Sequence, residues 1–176
     1  MKFASLTAGD LILDVCCGAG ELTTVIARQG FPAKVIGLDI SGSALEISRK
    51  RTQCIPVTFV RASADDLPFD SFRFNKCFVS FGLHHMAEQE RWRALKEIHR
   101  ILAPEGTLYV IDYNLPRKGV RRLAAMVFAK LDESDEAYKM LKTGSLFSEI
   151  DQVGFEIARR GLTCQGIIQL LEAVKR

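Results

Sequence analysis

The run Asp14-Val-Cys-Cys-Gly-Ala-Gly20, followed by Glu21, places small residues at the end of an apolar stretch. Small residues let a backbone turn tightly and approach a ligand, and a helix starting there offers unpaired N–H groups to an anion. A tight strand-to-helix connection would use the same residues. Asp39, at the end of the next apolar run, adds a carboxylate that can accept both hydroxyls of a ribose. Its alternative role is to cap the following helix. Ile40 beside it could pack on a flat base. Farther along, His84 and His85 could take a proton near neutral pH, or could form a packed turn bonded to backbone. Asp112, Tyr113 and Asn114 could orient a bound molecule or make a surface turn, and His99 reads as a core-edge histidine.

These residues need a frame that brings strand ends together, and apolar β-rich runs alternating with helical patterns supply one: a parallel sheet with crossover helices. Strands are expected at 11–15, 34–38, 56–60, 74–80 and 107–111, with helices at 21–28, 41–50 and 88–102 between them. In the last of these helices Trp92, Leu95, Ile98, His99 and Leu102 recur at helical spacing, and Pro104 and Gly106 stop it. A helical insertion at about 115–145 and a short helix near 146–153 follow. The stretches 155–162 and 167–174 close the chain, with no helix-sized segment between them, so the final strand enters antiparallel. The expected fold is α/β, Rossmann-like and doubly wound, a seven-stranded mostly parallel sheet with an antiparallel C-terminal hairpin strand. One domain spanning 1–176 fits the length.

Both dinucleotide enzymes and S-adenosylmethionine enzymes use a glycine-rich turn followed by an acid. A pyrophosphate fingerprint wants a third glycine where this chain has Thr23. Tyr138 and Lys142 have the Tyr-x-x-x-Lys form of a hydride-transfer site, but no serine lies about thirteen residues upstream. Five segments in order, Leu13-Asp-Val-Cys-Cys-Gly-Ala-Gly, Gly37-Leu-Asp-Ile-Ser, Ala64-Asp-Asp-Leu-Pro-Phe, Ser80-Phe-Gly-Leu-His-His-Met and Ile101-Leu-Ala-Pro-Glu-Gly-Thr-Leu-Tyr-Val-Ile-Asp, resemble class I S-adenosylmethionine-dependent methyltransferases. The branch they resemble most is the ubiquinone/menaquinone-biosynthesis C-methyltransferase type.

The resemblance implies that Asp14 and the backbone from Cys16 through Gly18 to Gly20 hold the methionine end, and Asp39 the ribose. It further implies that Ile40 and the Ala64 amide hold the adenine, and that Ser80 presents its carbonyl to the amino group. His84 and His85 are then the candidate bases. Three departures stand out. Cys16 replaces the first glycine of the family turn and narrows the pocket. Ser63 replaces the acid that grips the adenine amino group, with Asp65 near enough to substitute in part. Asn75 replaces an Asp at the start of its strand, where a structural effect is expected.

A net charge of +3 and 26% charged residues give no broad basic stretch, so nucleic acid is not the expected partner. The expected acceptor is a small molecule, quinone-like by the resemblance; the alternatives are an RNA methyltransferase and a noncatalytic S-adenosylmethionine-binding partner subunit. No window is long and apolar enough for a signal peptide or membrane span. Five cysteines without C-x-x-C spacing suit a reducing cytoplasm, and no metal site is expected. Cys16, Cys54 and Cys77 are expected to pack as small apolar residues. About ten residues precede Leu11, so covering the pocket is expected to fall to the insertion, with Arg117, Lys118, Arg121 and Arg122 on one face and Val120, Leu123, Met126, Val127, Phe128 and Leu131 on the other, or to a homodimer or partner chain. Replacing Tyr138 with Phe should leave S-adenosylmethionine affinity and methyl transfer largely intact, as read by calorimetry and labelled-methyl turnover; a hydride-transfer enzyme would lose its activity.

Overall fold

The apolar runs are nearly continuous because the parallel sheet they form is covered on both faces, so alternate residues serve two cores instead of one core and solvent. Leu13 and Val15, Ile36 and Leu38, Cys77 and Val79, and Leu108 and Val110 enter the larger core, while Ile12, Val35, Phe78 and Tyr109 enter the smaller one. The computed structural model describes residues 3–30, 32, 34–116, 119, 122, 125–127 and 135–176. Its elements are β1 (Leu11–Val15), α1 (Glu21–Ala27), β2 (Lys34–Asp39), α2 (Gly42–Arg51), β3 (Val57–Arg61), β4 (Phe74–Ser80), α3 (Glu88–Ile101), β5 (Leu102–Tyr113), α4 (Asp135–Thr143), α5 (Ser145–Val153), β6 (Phe155–Thr163) and β7 (Ile168–Lys175). Single 3-10 turns cover Leu83–His85 and Cys164–Gly166. Of the insertion expected at 115–145, the described part includes α4; Arg117, Lys118, Val120, Arg121, Leu123, Phe128 and Leu131 lie outside the described residues.

The sheet order is β3-β2-β1-β4-β5-β7-β6. β1 to β5 pair parallel, and β7 runs antiparallel between β5 and β6. This is the doubly wound, Rossmann-like arrangement with one antiparallel hairpin strand. α1 packs Leu22, Ile26 and Ala27 on the smaller core, and α3, α4 and α5 bury Leu95, Met140 and Ile150 in the larger one. Asn75 acts structurally: its Oδ1 accepts the Leu11 amide at 2.9 Å and ties the starts of β1 and β4. No described helix is long and apolar enough to cross a membrane.

Several expectations are corrected. β5 is longer than 107–111 because Leu102 pairs with Phe74 directly after α3; the register then shifts so that Thr107 pairs with Lys76. Pro104 and Gly106 therefore end the helix but stand inside the strand as a bulge, with Glu105 left-handed at φ 60°. On α3, Trp92 and His99 are half-buried edges; the buried face is Arg91, Ala94, Leu95, Ile98 and Ile101. Cys54 is exposed, whereas Cys77 is fully buried, and all five thiols are free. His99 does sit at the core edge, its ring edge-on to Phe155 at 5.1 Å. The end of α3 is capped by Lys175, whose Nζ donates to the carbonyls of His99 (2.6 Å) and Leu102 (2.7 Å).

Arg91 is buried because a partner is waiting on α5. Its Nε and Nη2 donate to the Glu149 carboxylate at 2.5 and 2.8 Å, and Nη1 donates to the Met86 carbonyl at 2.9 Å. Removing one member of such a pair leaves a desolvated charge. Glu149→Ala is expected to lower unfolding stability by about 3–5 kcal/mol in urea denaturation. The paired change Arg91→Met with Glu149→Leu should recover most of that loss, because no lone charge is then buried.

Candidate active site

β1 and β4 are neighbours, yet the chain leaves β1 toward β2 and leaves β4 toward β5, so the loops beyond their carboxyl ends diverge and open a crevice. A cavity of about 490 Å³ lies there. The β1 loop contributes Cys16 and Gly18, the β2 end Asp39 and Ile40, the β3 end Ser63, Ala64 and Asp65, and the β4 loop His85. All eight were expected from the sequence to meet. Asp14, Gly20, Ser80 and His84, expected in the same site, do not line the cavity.

The crevice is lined by two residues in the left-handed region, Cys16 (φ 57°) and Phe81 (φ 52°), one after each diverging strand. Each such residue costs about 1–2 kcal/mol, which the surrounding packing must offset. Gly82 makes the pair possible: a Cβ there would come within 2.6 Å of the Cys16 Cβ. The cysteine that replaces the first glycine is thus accommodated by a glycine across the crevice, and the cavity stays open. Burial, then the carboxylates of Asp39, Asp14 and Asp112, push the Cys16 thiol up to about 12, so it lines the cavity as a neutral group.

Asp39 braces two loops at once. Its Oδ2 accepts the Gly18 amide and its Oδ1 the Ser41 amide, each at 2.8 Å, while the carboxylate faces the cavity with lone pairs to spare. The helix-cap role goes instead to Ser41, whose Oγ accepts the Ala44 amide at 3.3 Å. Ile40 is 66% exposed on the cavity wall. The Ser63 hydroxyl donates to Asp65 at 2.5 Å, and Arg93 donates to the other Asp65 oxygen at 3.1 Å; these bonds hold the Asp65 carboxyl below the usual carboxylate range.

Behind this wall stands a polar scaffold. Gly20 turns into α1, and a Cβ there would meet Ser48 at 2.8 Å. Ser80 ends β4 one residue before Phe81. His84 is buried, its Nδ1 2.6 Å from Asp112 Oδ1, which also accepts the Tyr113 amide at 2.7 Å. The His84 and His85 rings lie 4.0 Å apart, with His85 exposed on the cavity side. The sequence reading missed Leu38, Ala62, Phe81, Gly82, Met86 and Glu90, which also line the cavity. Phe81, Gly82 and Met86 fall within a recognised segment; Glu90, in the first turn of α3, carries no sequence signal.

Asp14 is fully buried, accepts the Thr23 hydroxyl at 2.5 Å on Oδ2, and has no partner for Oδ1 among the described residues. Burial raises its pKa from 3.8 to about 7. The folded state therefore holds this proton more tightly than the unfolded chain, so the contribution of Asp14 is complete below pH 3.8 and is lost as pH rises through about 7. Asp14→Asn cannot ionise. Between pH 4 and 8 its stability relative to the parent should rise by up to about 4 kcal/mol, measured by urea denaturation at each pH; a constant difference would contradict the burial argument.

The family model for the methyltransferase domain matches residues 12–106. An uncharacterised methyltransferase of Synechocystis is 32% identical over 169 residues, an alignment covering 96% of this chain and 77% of that protein. A demethylmenaquinone methyltransferase of Clavibacter sepedonicus is 31% identical, with 96% of this chain and 74% of that protein covered. The chain spans about half the length of several other curated relatives it matches. Among solved structures, an S-adenosylmethionine-dependent methyltransferase from Mesorhizobium loti superposes with a TM-score of 0.75 at 18% identity, covering 98% of this chain and 94% of that one, a likeness of fold. With a sheet that reverses at β1 and β4, a cavity at that reversal and relatives of this kind, the chain belongs to the S-adenosylmethionine-dependent methyltransferase family.

Proposed function

We propose that the protein transfers a methyl group from S-adenosylmethionine to a small-molecule acceptor with a quinone-like ring. The observation that carries this reading is the convergence of four strand ends on one cavity that offers a carboxylate, an exposed apolar side chain and a bonded Ser–Asp pair. The fit to the donor is chemical. The Asp39 carboxylate, already oriented by two amides, would accept ribose hydroxyls, and the exposed face of Ile40 would cover a flat base. Asp65, held by Ser63 and Arg93, would accept the adenine amino group beside the Ala64 amide. The quinone-like acceptor is supported by the Clavibacter sepedonicus relative, whose name specifies demethylmenaquinone.

The donor supplies a methyl on a sulfonium, an electrophile that needs no activation, so the chain's task is alignment and water exclusion. Where the acceptor carries a proton, His85 is the base, since it stands on the cavity wall. His84 is a positioning residue: clamped by Asp112 and packed on His85, it restricts the orientation of that ring. Asp14 acts from behind the loop, fixing α1 to β1 through Thr23. The five free thiols support a reducing compartment such as the cytoplasm.

Titration calorimetry with S-adenosylmethionine tests the reading. Asp39→Ala should weaken binding by about 2 kcal/mol, or about 30-fold, through loss of charge-assisted hydrogen bonds. Unchanged affinity in a folded variant would remove Asp39 from the site.

A further inference from the structure

At the two lips of the crevice the chain carries a side chain where the backbone favours glycine, and a glycine where the backbone has no need of one. Cys16, Gly18 and Gly20 all take left-handed conformations, with φ of 57°, 54° and 77°, and the first of them alone carries a Cβ. That Cβ is strained. Gly82, across the crevice, has φ −110° and ψ −37°, a right-handed conformation open to residues with a side chain. Its lack of a side chain is therefore a matter of space. A Cβ built there would lie 2.6 Å from the Cys16 Cβ and 3.0 Å from its Sγ, with Val79 Cγ1 next at 3.3 Å.

Rotation about χ1 moves a Sγ but leaves a Cβ in place, so the shortest of these contacts is set by the backbones of the two loops and no rotamer relieves it. Without the Cys16 Cβ and Sγ, the remaining neighbour of such an atom is the tip of Val79, within a few tenths of an ångström of ordinary contact. Both residues line the cavity of about 490 Å³. Neither lines the larger cavity, of about 780 Å³, beyond the carboxyl end of β5, so changes at these positions report on the crevice. The Cys16 thiol is free and neutral, and acts there by its volume.

We propose that Cys16 and Gly82 are a size-matched pair that sets the width of the crevice for S-adenosylmethionine, with room for one Cβ between the two lips. That the crevice takes this ligand rests on the methyl-transfer reading; the steric match does not. Two Cβ atoms overlap, and with none the wall stands off from the ligand and loses dispersion contact. One suffices on either side. Urea denaturation and titration calorimetry with S-adenosylmethionine test the pair through coupled variants. Gly82→Ala should lower the urea midpoint and weaken binding at least tenfold. Adding Cys16→Gly should restore the midpoint and bring affinity back to within threefold of the parent, whereas adding Cys16→Ala should restore neither, because its Cβ remains. Cys16→Gly alone should weaken binding at least threefold yet have a higher midpoint than Cys16→Ala, since it removes the left-handed Cβ. A purely structural role would move midpoint and affinity together. A Gly82→Ala chain that folds only once Cys16→Gly is added is the same rescue in its extreme form. Parent-like behaviour of Gly82→Ala, failure of Cys16→Gly to rescue it, or equal rescue by Cys16→Ala overturns the steric match. Rescue of the midpoint without affinity, or full affinity in Cys16→Gly, overturns control of the ligand's fit. If the parent itself does not bind S-adenosylmethionine, the methyl-transfer reading fails and takes the ligand half with it, while the order of midpoints still decides the steric half.

Discussion

The reversal of strand order between β1 and β4 is the constraint on which the rest of this molecule depends. Hydrogen bonding keeps the two strands adjacent while their outgoing loops must part, so a crevice forms whatever side chains occupy it. Side chains then decide its shape. Cys16 and Phe81 take left-handed conformations at its two lips, and the absence of a Cβ on Gly82 lets Cys16 sit across from it. The Asp39 carboxylate is a brace between the β1 loop and the start of α2, so this wall of the cavity is fixed by the fold itself.

Beneath the crevice the chain uses buried polar groups in two ways. Arg91 and Glu149 are a complete pair, satisfying each other across α3 and α5 and fixing how those helices meet. Asp14 and Asp112 are incomplete, each leaving one carboxylate oxygen without a partner among the described residues. Both stand next to the loops that line the cavity. Unsatisfied buried polar atoms cost stability; a third among the described residues, His99 Nε2, lies away from the cavity at the edge of α3.

The two cavities differ in their lining. The one at β1 and β4 has hydrogen-bonding groups from four strand ends, and the one beyond β5 has cations over apolar walls. An aromatic partition made by Phe81 and Tyr113 separates them, and His84, packed on Tyr113 at 4.8 Å and bonded to Asp112, stiffens it from below.

Period and punctuation in the sequence were enough for the element order, the parallel sheet and the antiparallel last strand, and with the family resemblance they named eight of the residues that line the cavity at β1 and β4. These are local properties: Ser41 caps α2 from three residues away, and glycines and acids fall at strand ends because the strands stop there. What could not be read locally depended on partners distant in the chain. Arg91 reads as a surface residue until Glu149, 58 positions on, is folded against it. Pro104 and Gly106 read as a loop until Phe74 pairs with Leu102 and draws them into β5. His84 and His85 are indistinguishable by type, and only the placement of Asp112 at the end of a neighbouring strand buries one and leaves the other facing the cavity. Adjacent residues in a tight turn point to different sides, so their environments are set by whatever the tertiary fold brings to each side.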